Sequence, residues 1–318
     1  MLLNLGRDTI NNKMITGAIL AVVGIVLLSA FIPLYHAPSD NNTLDVFIID
    51  GQSNAAYSNV AGSVNLDVVN ADLPTPSYNI YYYGNQTRPT MYNESDTNYG
   101  IHPIYSDGAY VVGGLVAPFA YYLSEKQQRD VMIINVGISA QSISNLVPGS
   151  IGGNWKMNII TNALDSVDNY PNINLIGWAW LQGESDINMP IATYTAYFND
   201  LEDYYKSIDC PNGYIVKTRE QYGGNATIAQ NNIIATNPNI HLGTDITDTF
   251  TGTDYMLDDL HYNQAARIII AENVVLNIPA VHYGDNNTVN TVIGLIPVLL
   301  IAGFIVGIVG MIVIRRDA

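Results

Sequence analysis

A three-layer α/β/α domain on a parallel sheet, flanked by two transmembrane helices, is the fold class that the sequence predicts. Three observations lead there. Short apolar runs rich in β-branched residues alternate with amphipathic stretches through the middle of the chain, the pattern of a parallel sheet covered on both faces. Two long uncharged apolar segments bracket that middle. The charge is also partitioned. Of 12 Lys+Arg and 28 Asp+Glu, the four basic and two acidic residues at the chain ends sum to +2, leaving −18 between the spans.

The first span is 14–35, with 22 uncharged residues, and the second is 292–314, with 23. Each exceeds the ~20 residues that a helix needs to cross the hydrocarbon core. A cleaved signal is the weaker reading of the first, because such signals carry an apolar region of only ~7–15 residues. Arg7 and Lys13 precede the first span, and Arg315 and Arg316 follow the second. The preference of basic flanks for the cytoplasmic side puts both tails, 1–13 and 315–318, inside and residues 36–290 outside. Five N-x-S/T sequons, at Asn41, Asn85, Asn93, Asn225 and Asn286, fit that external placement. The expected setting is a membrane, at a cell surface or in a viral envelope, with the lipid bilayer as one partner. Self-association into a homo-oligomer or surface array is compatible with it.

Composition excludes several classes. Hydrophobic residues at 48% and charged residues at 13% are wrong for a disordered chain. A pI near 4.3 is wrong for a nucleic-acid binder. Cys210 is the one cysteine, so neither an internal disulfide framework nor a cysteine-based zinc cluster can form.

Within the external part, strands are expected at 44–50, 131–136, 173–181, 214–217 and 240–243. Helices are expected at 114–128, 158–168, 192–207, 228–236 and 263–276. Residues 58–110, rich in Asn, Tyr, Pro and Gly, read as a long irregular insertion. Trp178 and Trp180 alternate within one strand and belong to the core. Trp155, in a Gly-Gly-Asn-Trp stretch, is a candidate for stacking on substrate, with simple packing as the competing reading.

Ligands of open α/β sheets bind beyond the carboxyl ends of the strands, and three motifs stand there. Asp50-Gly51-Gln52-Ser53-Asn54 follows the first strand. Leu181-Gln182-Gly183-Glu184-Ser185-Asp186 ends the third. Asp258-Asp259-Leu260-His261 precedes the last helix. A serine hydroxyl needs a base within hydrogen-bond reach to become a nucleophile. His261 is the one of five histidines with a carboxylate three residues before it, close enough for a local turn to orient its ring. Asp258 and Asp259 are both available as orienter.

Together these motifs resemble the SGNH/GDSL hydrolase superfamily, specifically its sialate O-acetylesterase-like branch of carbohydrate acetylesterases. That branch carries GQSN, QGESD and D-x-x-H in this order, as residues 51–54, 182–186 and 258–261 do here. The resemblance covers roughly 44–280. It implies an SGNH-like fold and cofactor-free removal of O-acetyl groups from glycans through an acetyl-Ser53 intermediate. His261 would be the base and Asp258 its orienter. It further implies oxyanion donors from the Ser53 N–H, from the Gln182 side chain and from a second-block backbone N–H. The family's paired glycines are missing from that second block. Either Gly137 takes their place by strand position, or Ser139 and Ala140 do if Ser142-Ile143 sets the register. Asn54, Glu184 and Asp186 would support the loops. Glu184 and Asp186 could instead bind a metal, but no histidine clusters with them. Two functions follow: a membrane-anchored esterase, or a retired hydrolase that binds glycans or builds a surface or envelope. No motif supports a protease or lipase.

Overall fold

Strand β1, Thr43–Gly51, is buried along all 9 residues, as a central strand covered on both faces must be. Phe47 and Ile49 enter one apolar cluster; Leu44, Val46 and Ile48 enter the other. The period-2 alternation of a strand thus feeds two separate cores. The computed structural model describes residues 42–56, 73–85, 99–106, 108–167 and 170–280. The expected spans 14–35 and 292–314, and the sequons at Asn41, Asn93 and Asn286, lie outside these residues. Among the described residues no helix is long and apolar enough to cross a membrane.

Strand β1 pairs in parallel with β6, Val131–Asn135, and with β7, Asn172–Leu181. Beyond β7 lie β8, Gly213–Val216, and β9, Ile240–Thr244, also parallel. Five runs read as strands from their apolar content are therefore strands, within one or two residues at each end.

The stretch 58–110 is not wholly irregular. Ile80–Asn85 forms β2, parallel to β6, and Tyr99–Pro103 forms β3, the antiparallel edge. The sheet order is β3-β2-β6-β1-β7-β8-β9. A separate hairpin joins β4, Tyr105–Ser106, to β5, Ala109–Tyr110. The Tyr-rich composition that suggested a loop serves as strand instead, because aromatics fit a half-buried pleated surface. Tyr82 and Tyr83 are buried, and Tyr82 packs its ring 5.3 Å from that of His102.

Helices cover both faces. Helices α1, Val116–Gln127, and α5, Gln264–Asn277, place Phe119, Leu123, Ile270 and Val274 in the first core. Helices α2, Ile151–Asp165, α3, Ile191–Ser207, and α4, Glu220–Thr236, place Ile160, Phe198, Leu201 and Ile233 in the second. Truncating such a side chain to alanine typically costs ~3–5 kcal/mol for Phe. Two helices begin earlier than expected. Ser150 caps α2 by accepting the Gly153 N–H at 2.9 Å, which satisfies an otherwise orphan donor. Helix α4 begins at Glu220 across a kink at Gly224, whose φ is +46°. Trp178 and Trp180 are fully buried. Trp155, on α2, is half-buried against the second core. Its stretch is part of helix α2, and the ring packs in part on this core while remaining partly exposed.

Candidate active site

The turn after β1 is shaped by a close approach. Gly51 has φ +138°, and a Cβ there would lie 2.1 Å from the Leu181 carbonyl oxygen, so only glycine fits. The Gln52 N–H then donates to Leu181 O at 2.9 Å, and the Ala55 and Ala56 N–H groups both donate to Gln52 O. This single helical turn carries Ser53, which is buried.

His261 comes from the segment before α5, 208 residues away in sequence, and its Nε2 lies 3.1 Å from Ser53 Oγ. Its Nδ1 lies 2.8 Å and 3.0 Å from the two oxygens of Asp258. Asp258 also accepts the backbone N–H groups of Leu260 and His261 at 2.8 Å and 2.7 Å. Partial burial pushes its carboxyl upward, but the imidazole and these two N–H groups outweigh that and hold it below the usual carboxylate value. Asp258 therefore supplies the carboxylate at the ring; Asp259 instead offers its backbone oxygen to Arg219 Nη1 at 2.9 Å. Among the other histidines, His102 packs on Tyr82 and His241 on Tyr214, while His36 and His282 lie outside the described residues.

Asn54 and Glu184 join the nucleophile turn to the histidine loop. Asn54 Nδ2 donates to Glu184 Oε1 at 2.8 Å and to Leu260 O at 3.3 Å, and Asn54 Oδ1 accepts the Tyr262 N–H at 3.2 Å. Gln52 Nε2 donates to the other Glu184 oxygen. Burial pushes the Glu184 carboxyl up, opposed by its own backbone N–H, by Asn54 and by His261. Asp186 binds the second block: it accepts Ser142 Oγ at 2.6 Å, the Ile143 N–H at 2.7 Å, and Gln182 Nε2. Both carboxylates of the third block thus tie loops together.

Two of the expected oxyanion donors are otherwise engaged. The Gly137 N–H donates to Asn135 Oδ1 at 3.0 Å. A Cβ at Gly137 would meet Ala56 N at 2.7 Å, so this glycine is there for close packing on the nucleophile turn. The Gln182 side chain is buried, with Nε2 donating to Asp186 and to Gln141 O and Oε1 accepting from Tyr194 at 3.0 Å. In contrast, the N–H groups of Ser53 and Ser139 have no partner among the described residues. Asp186 grips Ser142 and Ile143, just beyond Ser139 and Ala140. Ala140 has φ +58°, a region that costs a non-glycine residue ~1–2 kcal/mol.

The motifs hold Gln52 and Asp50 but assign them no role, and Gln141 lies outside the three motifs; the partners that give them roles are 41 to 155 residues distant. The free Cys210 is buried, and burial pushes its thiol to about 12, which leaves it inert at neutral pH.

Comparisons with known proteins bear on the fold and the family. A protein of Arabidopsis thaliana shares 15% identity over 74% of this chain and 97% of its own, with a TM-score of 0.52, which shows a common fold. A carbohydrate acetylesterase from Xanthomonas citri shares 16% identity over 73% of this chain and 55% of its own, with a TM-score of 0.48. An acetyl xylan esterase from Geobacillus stearothermophilus shares 14% over 78% and 100%, with a TM-score of 0.39. No curated protein matches the sequence. The sequence model of one family, "Carbohydrate esterase, sialic acid-specific acetylesterase", matches residues 43–276, most of the chain. The protein therefore belongs to this carbohydrate esterase family and is a carbohydrate O-acetylesterase-like hydrolase.

Proposed function

We propose that the protein is a membrane-anchored, outward-facing serine esterase that removes O-acetyl groups from carbohydrates. The observation that carries this reading is the continuous relay Ser53 Oγ–His261 Nε2, 3.1 Å, and His261 Nδ1–Asp258, 2.8 Å. His261 takes the Ser53 proton as Oγ attacks the acetyl carbonyl, then returns it to the departing sugar hydroxyl. Asp258 fixes the ring tautomer and stabilises the imidazolium. The Ser53 and Ser139 N–H groups receive the oxyanion, an interaction worth ~3 kcal/mol per donor. Water, activated by the same histidine, releases acetate from acetyl-Ser53.

The sugar is assigned to a groove of about 470 Å³ lined by Ile138, Gln141, Asn145, Ser150 and Ile151. One of these residues is tied to the nucleophile turn: the Ile138 N–H donates to Gly51 O at 3.0 Å. Its lining is uncharged, with amides for hydroxyl groups and an exposed Ile151 for an apolar sugar face. The −18 charge of the middle segment points the same way, toward neutral acetylated sugars over acidic ones.

The membrane part of the reading rests on sequence: spans at 14–35 and 292–314, both termini inside, and the domain 36–290 outside. Protease protection of intact membrane vesicles tests it; cleavage of the domain from the cytoplasmic face overturns the orientation. The esterase part is tested with the Ser53→Ala variant on p-nitrophenyl acetate and on acetylated oligosaccharides. Turnover equal to wild type, or none by the wild type, overturns it. A retired, binding-only domain is less well supported, because the three-residue relay is intact.

A further inference from the structure

Directly beneath the nucleophile turn lies a fully buried ion pair. Lys156 Nζ, on α2, donates to Asp50 Oδ2 at 2.6 Å, and both side chains are essentially inaccessible. Tyr205 on α3 donates to the same oxygen at 2.8 Å. The other oxygen, Oδ1, accepts the N–H of Gly51 at 2.7 Å. The ammonium also sits 5.6 Å above the Trp180 ring on the neighbouring strand.

Burying two charges is an expensive way to stabilise a fold, because well-packed apolar residues usually do as well or better. The arrangement needs a different justification, and its position supplies one. Asp50 is three residues before Ser53 and binds the backbone of the very glycine whose unusual conformation turns the chain toward the site. Lys156 belongs to the helix whose first turn, at Ser150, Ile151 and Gly152, walls the groove assigned above to the sugar. An unpaired Asp50 carboxylate would also oppose the negative charge that develops at the acetyl oxygen nearby. Burial pulls the Lys156 amine below its ordinary value, and Asp50 opposes that shift.

We infer that Lys156 and Tyr205 are positioning residues, which act through Asp50 to hold and electrostatically neutralise the turn that presents Ser53. This inference rests on the esterase reading above. Neither residue reaches the substrate, so their effect is on how well Ser53 and its N–H are aimed, and it falls on kcat rather than KM.

The test uses full-length wild type, Tyr205→Phe and Lys156→Met. Tyr205→Phe removes one hydrogen bond and keeps the ring, which stacks on Trp178 at 4.3 Å, so it is the variant expected to fold normally. With p-nitrophenyl acetate, kcat is expected to fall about threefold to tenfold in Tyr205→Phe and more in Lys156→Met, with KM within about twofold. Affinity for phenylboronic acid, which mimics the tetrahedral intermediate, falls in parallel, a readout that a purely structural role leaves alone. If Lys156→Met fails to fold, Tyr205→Phe decides. Wild-type kcat and boronate affinity in every folded variant overturn the inference. Absence of turnover in the wild type overturns the esterase reading, and the inference with it.

Discussion

Asp186 holds Ile143: its Oδ2 accepts the Ile143 N–H at 2.7 Å, while Oδ1 accepts the neighbouring Ser142 hydroxyl at 2.6 Å. One carboxylate on the β7 loop thereby fixes the β6 loop, and with it the position of the Ser139 N–H. Asp186 is buried, so its loss is not made good by water. Asp186→Ala is expected to lower kcat about 10²-fold, the scale of one misplaced oxyanion donor, with a much smaller change in KM. Steady-state kinetics on p-nitrophenyl acetate check this.

Ala140 sits at φ +58° without the freedom of glycine. Glycine would relieve ~1–2 kcal/mol of left-handed strain and give back ~0.5–1 kcal/mol in unfolded-state entropy. Ala140→Gly is therefore expected to be more stable by about 0.5–1 kcal/mol, read as a higher urea midpoint at unchanged slope.

The carboxyl of Asp258 is held below its ordinary value of 3.8 in the folded protein. A group whose folded value is depressed stabilises fully above its unfolded value and loses that contribution as pH falls through the folded one. The stability difference between wild type and Asp258→Asn is expected to be constant from neutral pH to just above 3.8 and to shrink below it. Urea unfolding across that range measures it. The side chain is 53% exposed, so solvent screening keeps the effect small.

Ile151, 74% exposed at the mouth of the groove, offers apolar surface with no structural partner to lose. Ile151→Asp is expected to depress kcat/KM on an acetylated oligosaccharide about tenfold more than on p-nitrophenyl acetate, a differential of ~1.4 kcal/mol. Equal losses on both substrates would remove the groove from the sugar site.

Much of this structure was legible in advance, and what was not has identifiable causes. The strands β1, β6 and β8 announce themselves because they are buried throughout, and β7 through its buried apolar second half; β9 shows by its short apolar run, although Leu242 is exposed. Strands β2 and β3 do not, because Tyr81, Tyr82, Tyr83, Tyr99 and His102 are polar-edged aromatics whose burial depends on neighbours. Helix α2 hides its start behind Gly152 and Gly153, which are tolerated because Asn145 O and Val147 O approach where side chains would sit. Ser53, Asn54, Glu184, Asp186, Asp258 and His261 could be found because each lies in a short motif. The engagement of Gly137 and Gln182 could not, since it depends on the side chains of Asn135 and Asp186 and the carbonyl of Gln141. Nor could the Asp50–Lys156 pair, whose members are 106 residues apart.

The central claim is that Ser53, activated by His261 at 3.1 Å, is the nucleophile. Mass spectrometry of the intact protein mixed rapidly with p-nitrophenyl acetate tests it most directly. The account predicts a transient single acetyl adduct on Ser53 in the wild type, absent in Ser53→Ala, whose turnover falls at least about 10³-fold. An adduct elsewhere, or hydrolysis by Ser53→Ala at the wild-type rate, would contradict it.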